Sequence, residues 1–408
     1  MGLIIRRAKI VGQEELMDIE IRGDKIVGIT PTTSVKEQGE VDAQGNLVSA
    51  GFVDPHIHLD KVFLLERLRY KSIPRKAEAR GILWCEAEAC VQRIIDATNE
   101  LKREFTVEDV RERARRAALM ACANGTTALR AQVDVDPVVR LKGVKGVLEV
   151  KRECRHLVDI QVVAFPQNGI FTAPGTEELL REAVELGADV IGGIPALDPE
   201  PERHIDLIFD IAKEHDLDID MHVDQVYAPK PLTLPYLAEK TVREGYQGRV
   251  VADHCYALAA APPEVVWKTI EKVKEAGISI CVQPLRMRIP RMREPLDAGV
   301  NMAFFTDNLR DTWDPYGNAD MLENALLFAQ MTCDSSIVEE DFLRVFDMAT
   351  LTAAKIIGLE YGVEEGKKAD LVVLEARSPE EAIVTQAQRL HVIKGGEVVA
   401  VNGRIVSS

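Results

Sequence analysis

The hydrophobic and polar positions along the chain follow two different rules, and the change between them marks its organisation. Residues 3 to 49 alternate short β-rich runs with turns, as in "LIIRRAKIVG" and "MDIEIRGDKIVGI", with turn residues at Gly23-Asp24 and Gly45-Asn46. From residue 50 onward, apolar strand-like runs are separated by amphipathic helical segments such as "TEELLREAVELGA", residues 176 to 188. Eight such runs occur, at 47–58, 126–135, 159–167, 189–197, 217–225, 248–256, 277–284 and 301–307. Strand and helix repeated in this way over about 300 residues predict an α/β fold, a parallel (β/α)8 TIM-like barrel. Beyond about residue 358 the turn-rich β pattern returns in "KKADLVVLEA" and "RLHVIKGGEVVAVNGRIV". Residues 1–49 and 358–408 are therefore expected to pair into one small β-sandwich domain beside a barrel domain of residues 50–357.

Composition narrows the function. A chain of 408 residues, 46% of them hydrophobic, can bury a large core. Acids outnumber bases by 66 to 50, a net charge of −16, which argues against a general nucleic-acid surface, because phosphate binding needs a basic field. The expected partner is a small molecule. Seven cysteines without a C-x-x-C pair fit a reducing compartment rather than a disulfide framework. The apolar run in "MGLIIRRAKI" is too short for a signal peptide, and no stretch approaches the roughly 20 apolar residues of a membrane span. A cytoplasmic protein is expected, with no membrane partner and with homo-oligomeric assembly.

The candidate chemistry begins in "GFVDPHIHLDK", residues 51 to 61. In a strand, alternate side chains share a face, so His56 and His58 point the same way from neighbouring rungs. Active sites of such barrels lie at the C-terminal ends of the strands. Strand five ends in "DMHVDQ" with His222, strand six in "VADHCY" with His254 and strand eight in "FFTDN" with Asp307. Each histidine alone would be a weak signal, since a lone one more often packs or sits on the surface. Together they are hard to read as packing. Imidazoles and a carboxylate suit a borderline divalent metal, zinc or iron(II), with an open position for water. Coordination brings the pKa of that water toward roughly 7, which makes a hydroxide nucleophile available for hydrolysis.

These residues resemble the amidohydrolase superfamily, and the resemblance runs along almost the whole chain. Within it, "GFVDPHIHLDK", "VDIQVVAFPQNGI", "FTDNLRDTWDPYGNADM" and "GVEEGKKADLVVLEARSPEEAIVTQAQRLHVIK" look like the branch that holds cytosine deaminase and N-isopropylammelide isopropylaminohydrolase. The resemblance implies that His56, His58, His222 and Asp307 ligate one metal ion, and that His254 polarises the attacked carbon centre or steers the hydroxide. It implies further that Gln167 hydrogen-bonds the substrate ring and Trp313 lines the pocket. No lysine ends strand four ("VIGGIPALDPE"), where binuclear members carry a bridging one, so a single metal is expected.

Two departures set the chain apart. Where cytosine deaminases read H-x-D-E, with a glutamate that gives and takes the ring proton, this chain reads His222-Val223-Asp224-Gln225. An amide cannot shuttle a proton. The isopropylammelide enzyme carries a second histidine at the position of Asp224, although Lys61, Asn308 and the C-terminal segment lean toward it. Candidates to replace the acid are Asp224, which shares a face with His222 by the two-residue period, and Lys61, whose amine beside a divalent cation can lose its proton more readily. Asp224 could instead fix a histidine tautomer, Lys61 could be a solvated loop residue, and Gln225 is read as a substrate hydrogen-bonder. Two basic loops, "RLRYKSIPRKAEAR" at 67–80 and "RMRIPRMRE" at 286–294, would favour an anionic or oxygen-rich substrate if they hang over the mouth, although solvated loops or a subunit contact explain them as well. The expected activity is hydrolysis of a C–N bond on an amino-substituted pyrimidine- or triazine-like heterocycle with release of ammonia. The alternatives are removal of an alkylamine from an s-triazine and a catalytically dead scaffold relative, which the presence of all four ligands disfavours. The cytidine-type zinc deaminases are excluded by the absence of H-x-E with P-C-x-x-C.

Overall fold

A computed structural model of the chain describes residues 2–32, 41–67, 88–225, 231–284, 292–332 and 339–406. The terminal sheets contain β1 (Gly2–Ala8), β2 (Met17–Arg22), β3 (Lys25–Pro31), β4 (Val41–Asp42) and β5 (Leu47–Ala50), and at the other end β14 (Leu371–Leu374), β15 (Arg389–Lys394), β16 (Glu397–Val401) and β17 (Arg404–Ile405). Between them run β6 (Phe52–Ile57), β7 (Thr126–Asp134), β8 (Asp159–Phe165), β9 (Val190–Gly193), β10 (Asp218–Val223), β11 (Val250–His254), β12 (Ser279–Val282) and β13 (Met302–Phe304). These last eight form one parallel sheet in sequential order, with helices in the crossovers. The α/β barrel predicted from the periodicity is the fold observed.

The barrel closes through the residues expected to hold the metal. Ile57 bridges Asp307, with the His58 N–H donating to the Asp307 carbonyl at 2.9 Å and the Asp307 N–H to the His56 carbonyl at 3.0 Å. Closure therefore fixes His56, His58 and Asp307 side by side at the C-terminal end of the barrel. Strands buried on both faces read as apolar runs because helices cover the outside. The helix Thr176–Glu185 shows how: its buried Leu179, Leu180 and Ala183 lie at helical spacing, and Leu180→Ala would cost about 2–5 kcal/mol.

The first predicted run, 47–58, is two strands. Leu47–Ala50 pairs antiparallel with β14 in a terminal sheet, and Phe52–Ile57 pairs with β7 in the barrel. The break falls at Gly51, where a Cβ would lie 2.3 Å from Thr127 Oγ1, so only glycine lets the chain pass from one sheet to the other. Each of the other seven runs contains one barrel strand and overshoots it; 189–197, for instance, ends in the 3-10 turn Pro195–Leu197. The termini form two sheets, ordered β3-β2-β1-β4 and β17-β16-β15-β14-β5, that share an apolar core including Ile5, Ile19, Val48, Leu371 and Ile393. No helix among the described residues is long and apolar enough to cross a membrane. The basic loops at 67–80 and 286–294 lie outside the described residues except for Arg67 and residues 292–294.

Candidate metal centre and substrate cavity

Three barrel strands deliver the candidate ligands to one buried point, and a fourth brings His254 beside them. Asp307 Oδ1 lies 3.5 Å from His56 Nε2 and 3.4 Å from His58 Nε2, and His58 Nε2 lies 3.3 Å from His222 Nε2. Ligand atoms about 2.0–2.2 Å from a tetrahedral ion lie roughly 3.3–3.6 Å apart, so these separations suit a single small cation. The ligand atoms of His56, His222 and His254 also fall within 4.8 Å of one another. His56 Nε2 is buried and makes no hydrogen bond, while its Nδ1 meets Asp253 Oδ2 at 2.7 Å. Phe305 stacks on His56 at 4.3 Å and Phe165 on His222 at 4.1 Å, which fixes both rings.

The electrostatics fit the same reading. Burial, helped by the positive charge of Lys61 beside His58 and of His56 beside His222, holds both His58 and His222 well below the usual imidazole range, so both rings are neutral and can ligate. Burial also disfavours a charge on His56, but Asp253 and Asp307 outweigh it and push that ring up to about 10. The two carboxylates thus call for a positive charge at His56, which a metal cation would supply. A neutral imidazole set with one carboxylate is the donor chemistry of zinc or ferrous iron. Two of the site residues leave their strands in the left-handed region, His254 at φ 69° and Asp307 at φ 61°. Such backbones cost of order 1–3 kcal/mol and persist where the surroundings enforce them.

A cavity of about 320 Å³ opens beside this cluster, lined by His58, His222 and Asp307 together with Gln167, Gln225, Gln283, Asn308 and Trp313. Gln167 Oε1 accepts from Lys61 Nζ at 3.0 Å, which leaves the Gln167 amide nitrogen as its free polar end. Asn308 Nδ2 donates to Asp311 Oδ2 at 2.7 Å, and Asp311 Oδ1 accepts from the Trp313 N–H at 2.8 Å, so one carboxylate shapes the wall that carries both. Burial pushes Asp311 up to about 7.

The structure decides between the alternatives for two candidates. Asp224 turns away from His222, because its φ of 47° ends the strand period, and its carboxylate accepts from Thr233 N, Thr233 Oγ1 and Leu234 N at the start of the helix Leu234–Glu244. It is a helix cap. Lys61 is no solvated loop residue: it is fully buried, with Nζ 2.7 Å from Asp134 Oδ1. Lys102, also buried, pairs with Asp134 and lies 2.8 Å from Asp136 Oδ2. Asp253, Gln283, Asp134 and Lys102 are the site residues that the sequence reading missed. Asp253 carried a signal, a carboxylate directly after the apolar "VVA", since a buried charge must find a partner.

Fold and site define a parallel α/β barrel with a candidate metal site at the C-terminal ends of its strands. The chain belongs to the amidohydrolase family, whose sequence model matches residues 39–406. It is 37% identical to N-isopropylammelide isopropyl amidohydrolase of Pseudomonas sp. (strain ADP), over 99% of this chain and 98% of that one. It is 28% identical to the pterin deaminase of Rhizobium rhizogenes (strain K84 / ATCC BAA-868), covering 94% of this chain and 87% of the relative. Among solved structures, 5-methylcytosine deaminase from Klebsiella pneumoniae liganded with 5-fluorocytosine superposes with a TM-score of 0.87 at 29% identity, covering 100% of this chain and 98% of the other. N-isopropylammelide isopropylaminohydrolase from Burkholderia multivorans ATCC 17616 gives 0.85 at 28% identity, with 100% of both chains covered.

Proposed function

We propose that the protein is a metal-dependent aminohydrolase that replaces the amino group of an amino-substituted pyrimidine-, triazine- or pterin-like ring with oxygen from water and releases ammonia. The observation that carries this reading is the single cavity shared by a metal-fitting cluster and by the amides Gln167, Gln225, Gln283 and Asn308. His56, His58, His222 and Asp307 would hold one divalent ion, zinc or iron(II), which when bound lowers the pKa of its water toward roughly 7.

The chain's own residues do the rest. The carboxylate of Asp307 would accept the proton given up by the attacking water, and His254, buried beside His56 and His222, would polarise the attacked ring carbon. Gln167, held at its carbonyl end by Lys61, would present its N–H groups to a ring acceptor. Asn308 and Gln225 would read the remaining ring edge, with Trp313 as an apolar wall. Lys61 acts in this scheme through Gln167, and Asp224 through the helix it caps.

A second reading is release of an alkylamine from an s-triazine, favoured by the 37% identity to the isopropylammelide relative. One experiment separates the two. Zinc- or iron-loaded protein is assayed across amino-substituted pyrimidines, triazines and pterins and N-alkylated triazines, with ammonia and alkylamine measured in parallel. Ammonia release supports the first reading and alkylamine release the second. If neither amine is released from any ring, the aminohydrolase reading is wrong.

A further inference from the structure

Below the metal centre the barrel interior is polar where such barrels are usually filled by branched apolar side chains. His56 Nδ1 meets Asp253 Oδ2 at 2.7 Å, and a carboxylate oxygen of Asp220 lies within 4.8 Å of both side chains. Asp220 accepts from Arg130 NH1 at 2.9 Å and from Gln132 Nε2 at 2.7 Å. Arg130 Nε then donates to Gln161 Oε1 at 2.9 Å, and Gln161 Nε2 donates to the Ile357 carbonyl at 2.8 Å. From His56 to Arg130 every side chain is buried, Arg130 being 1% exposed and Asp220 and Asp253 0%. Taking these charges out of water is expensive, and a hydrophobic filling would often serve stability as well or better. The expense calls for a function.

We propose that Asp253, Asp220 and Arg130 are positioning residues for the metal ligand His56, and that this buried polar array sets how tightly the protein holds its metal. A ligating imidazole offers one bare nitrogen to the ion and carries its proton on the other, and the acceptor at that second nitrogen fixes both the tautomer and the ring plane. Asp253 is that acceptor for His56. Asp220 packs beside Asp253 and is itself fixed by NH1 of Arg130 and the amide of Gln132. Arg130 and Gln161 face each other in the β7–β8 register, so the far end of the array is anchored by the sheet itself. The inference rests on the metal-dependent reading above.

The test measures zinc affinity of the full chain by competition with a chromophoric chelator, and the visible spectrum of the cobalt-substituted protein as a record of ligand geometry. Asp253→Asn is expected to weaken zinc by about 10–100-fold and Arg130→Met by about tenfold, the range found when outer partners of ligands are removed. Gln161→Leu, at a half-buried position, is expected to weaken zinc by less, about threefold, and to shift the cobalt spectrum in the same sense. Arg389→Lys, at a buried arginine paired with Asp320 and outside this array, serves as the control and should leave zinc affinity unchanged. Zinc affinity and cobalt spectrum unchanged in Gln161→Leu and in whichever of the other variants fold would overturn the proposal, whatever their melting temperatures do. A wild type that binds neither zinc, cobalt nor ferrous iron would sink the metal reading itself, an outcome distinct from variants that bind as well as the wild type.

Discussion

Two buried aspartates flank the first barrel strand at the barrel mouth, one beyond each of its neighbours, and their surroundings push them in opposite directions. Asp134 ends β7, and Asp311 lies in the loop after β13. Burial raises both. At Asp134 the charges of Lys102 and Lys61 outweigh it and hold the carboxyl below its ordinary range. At Asp311 the offset comes mainly from the N–H groups of Asp314 and Trp313, and the carboxyl is pushed up to about 7. One wall of the mouth is thus held by full charges, and the wall that presents Asn308 and Trp313 is held largely by dipoles. The first should keep its form across physiological pH, whereas the second is poised to change within it.

The largest effects should come from the metal cluster between these walls. His56→Ala or Asp307→Ala should lower amine release by at least about 10³-fold, the several kcal/mol that a metal ion contributes to hydrolysis, with metal content falling in parallel by elemental analysis. Lys102→Met should leave the metal bound and strike the fold instead. It strands Asp134 and Asp136 beside a single remaining ammonium, and breaking a buried pair costs about 3–5 kcal/mol, readable as a lower urea midpoint. If Lys102→Met unfolds at the wild-type midpoint, the charged wall is not held by charge.

The dipole-held wall makes a pH prediction of opposite sign. The folded value of Asp311, about 7, lies above an unfolded value near ~3.9, so the folded chain binds the proton first. Stability associated with Asp311 is therefore fully present below about pH 4 and is lost as pH rises through about 7. For Asp134 the folded value is depressed, and its contribution is present above about pH 4 and lost as pH falls. Asp311→Asn should flatten the first slope, gaining on the order of 2 kcal/mol over wild type between pH 4 and pH 8 in urea titrations. An unchanged slope would mean that Asp311 is ionised throughout and that the two walls do not differ.

The same contrast explains what the sequence revealed. His56, His58, His222, His254 and Asp307 were legible because strand period and barrel topology together dictate where strand-end residues meet. The charged wall was not, since Lys61, Lys102, Asp134 and Asp136 become partners only through contacts distant in sequence, and a lysine in a loop or helix ordinarily faces solvent. The interior array was half visible: "LRAQVD" alternates Arg130, Gln132 and Asp134 with Leu129, Ala131 and Val133, a pattern that usually puts the polar face in water. In a closed barrel wrapped by helices the polar face turned inward. Asp224 was placed with His222 by a period that stops one residue earlier, where the backbone turns left-handed.

The smallest effect tests whether the metal-side wall lacks a proton carrier by design. Gln225 lines the cavity with His222, while Asp224 is committed to Thr233 and Leu234, so strand five offers the substrate an amide and no carboxylate. If a ring such as cytosine needs protonation before its amino group leaves, the wild type should turn it over poorly. Gln225→Glu should then raise the trace rate by about tenfold, short of the roughly 10²–10⁴ that acid–base assistance can contribute, because the surrounding wall is not arranged around a charge. Binding must be measured beside rate. A cytosine analogue hydrated at the attacked carbon that binds the wild type tightly, without turnover of cytosine itself, would locate the defect in proton transfer. Failure of that analogue to bind would instead assign selectivity to the walls, to Gln167 held by Lys61 and Asn308 held by Asp311. Robust wild-type turnover of cytosine would show that another group already carries the proton, and the difference made by residue 225 would lose its meaning.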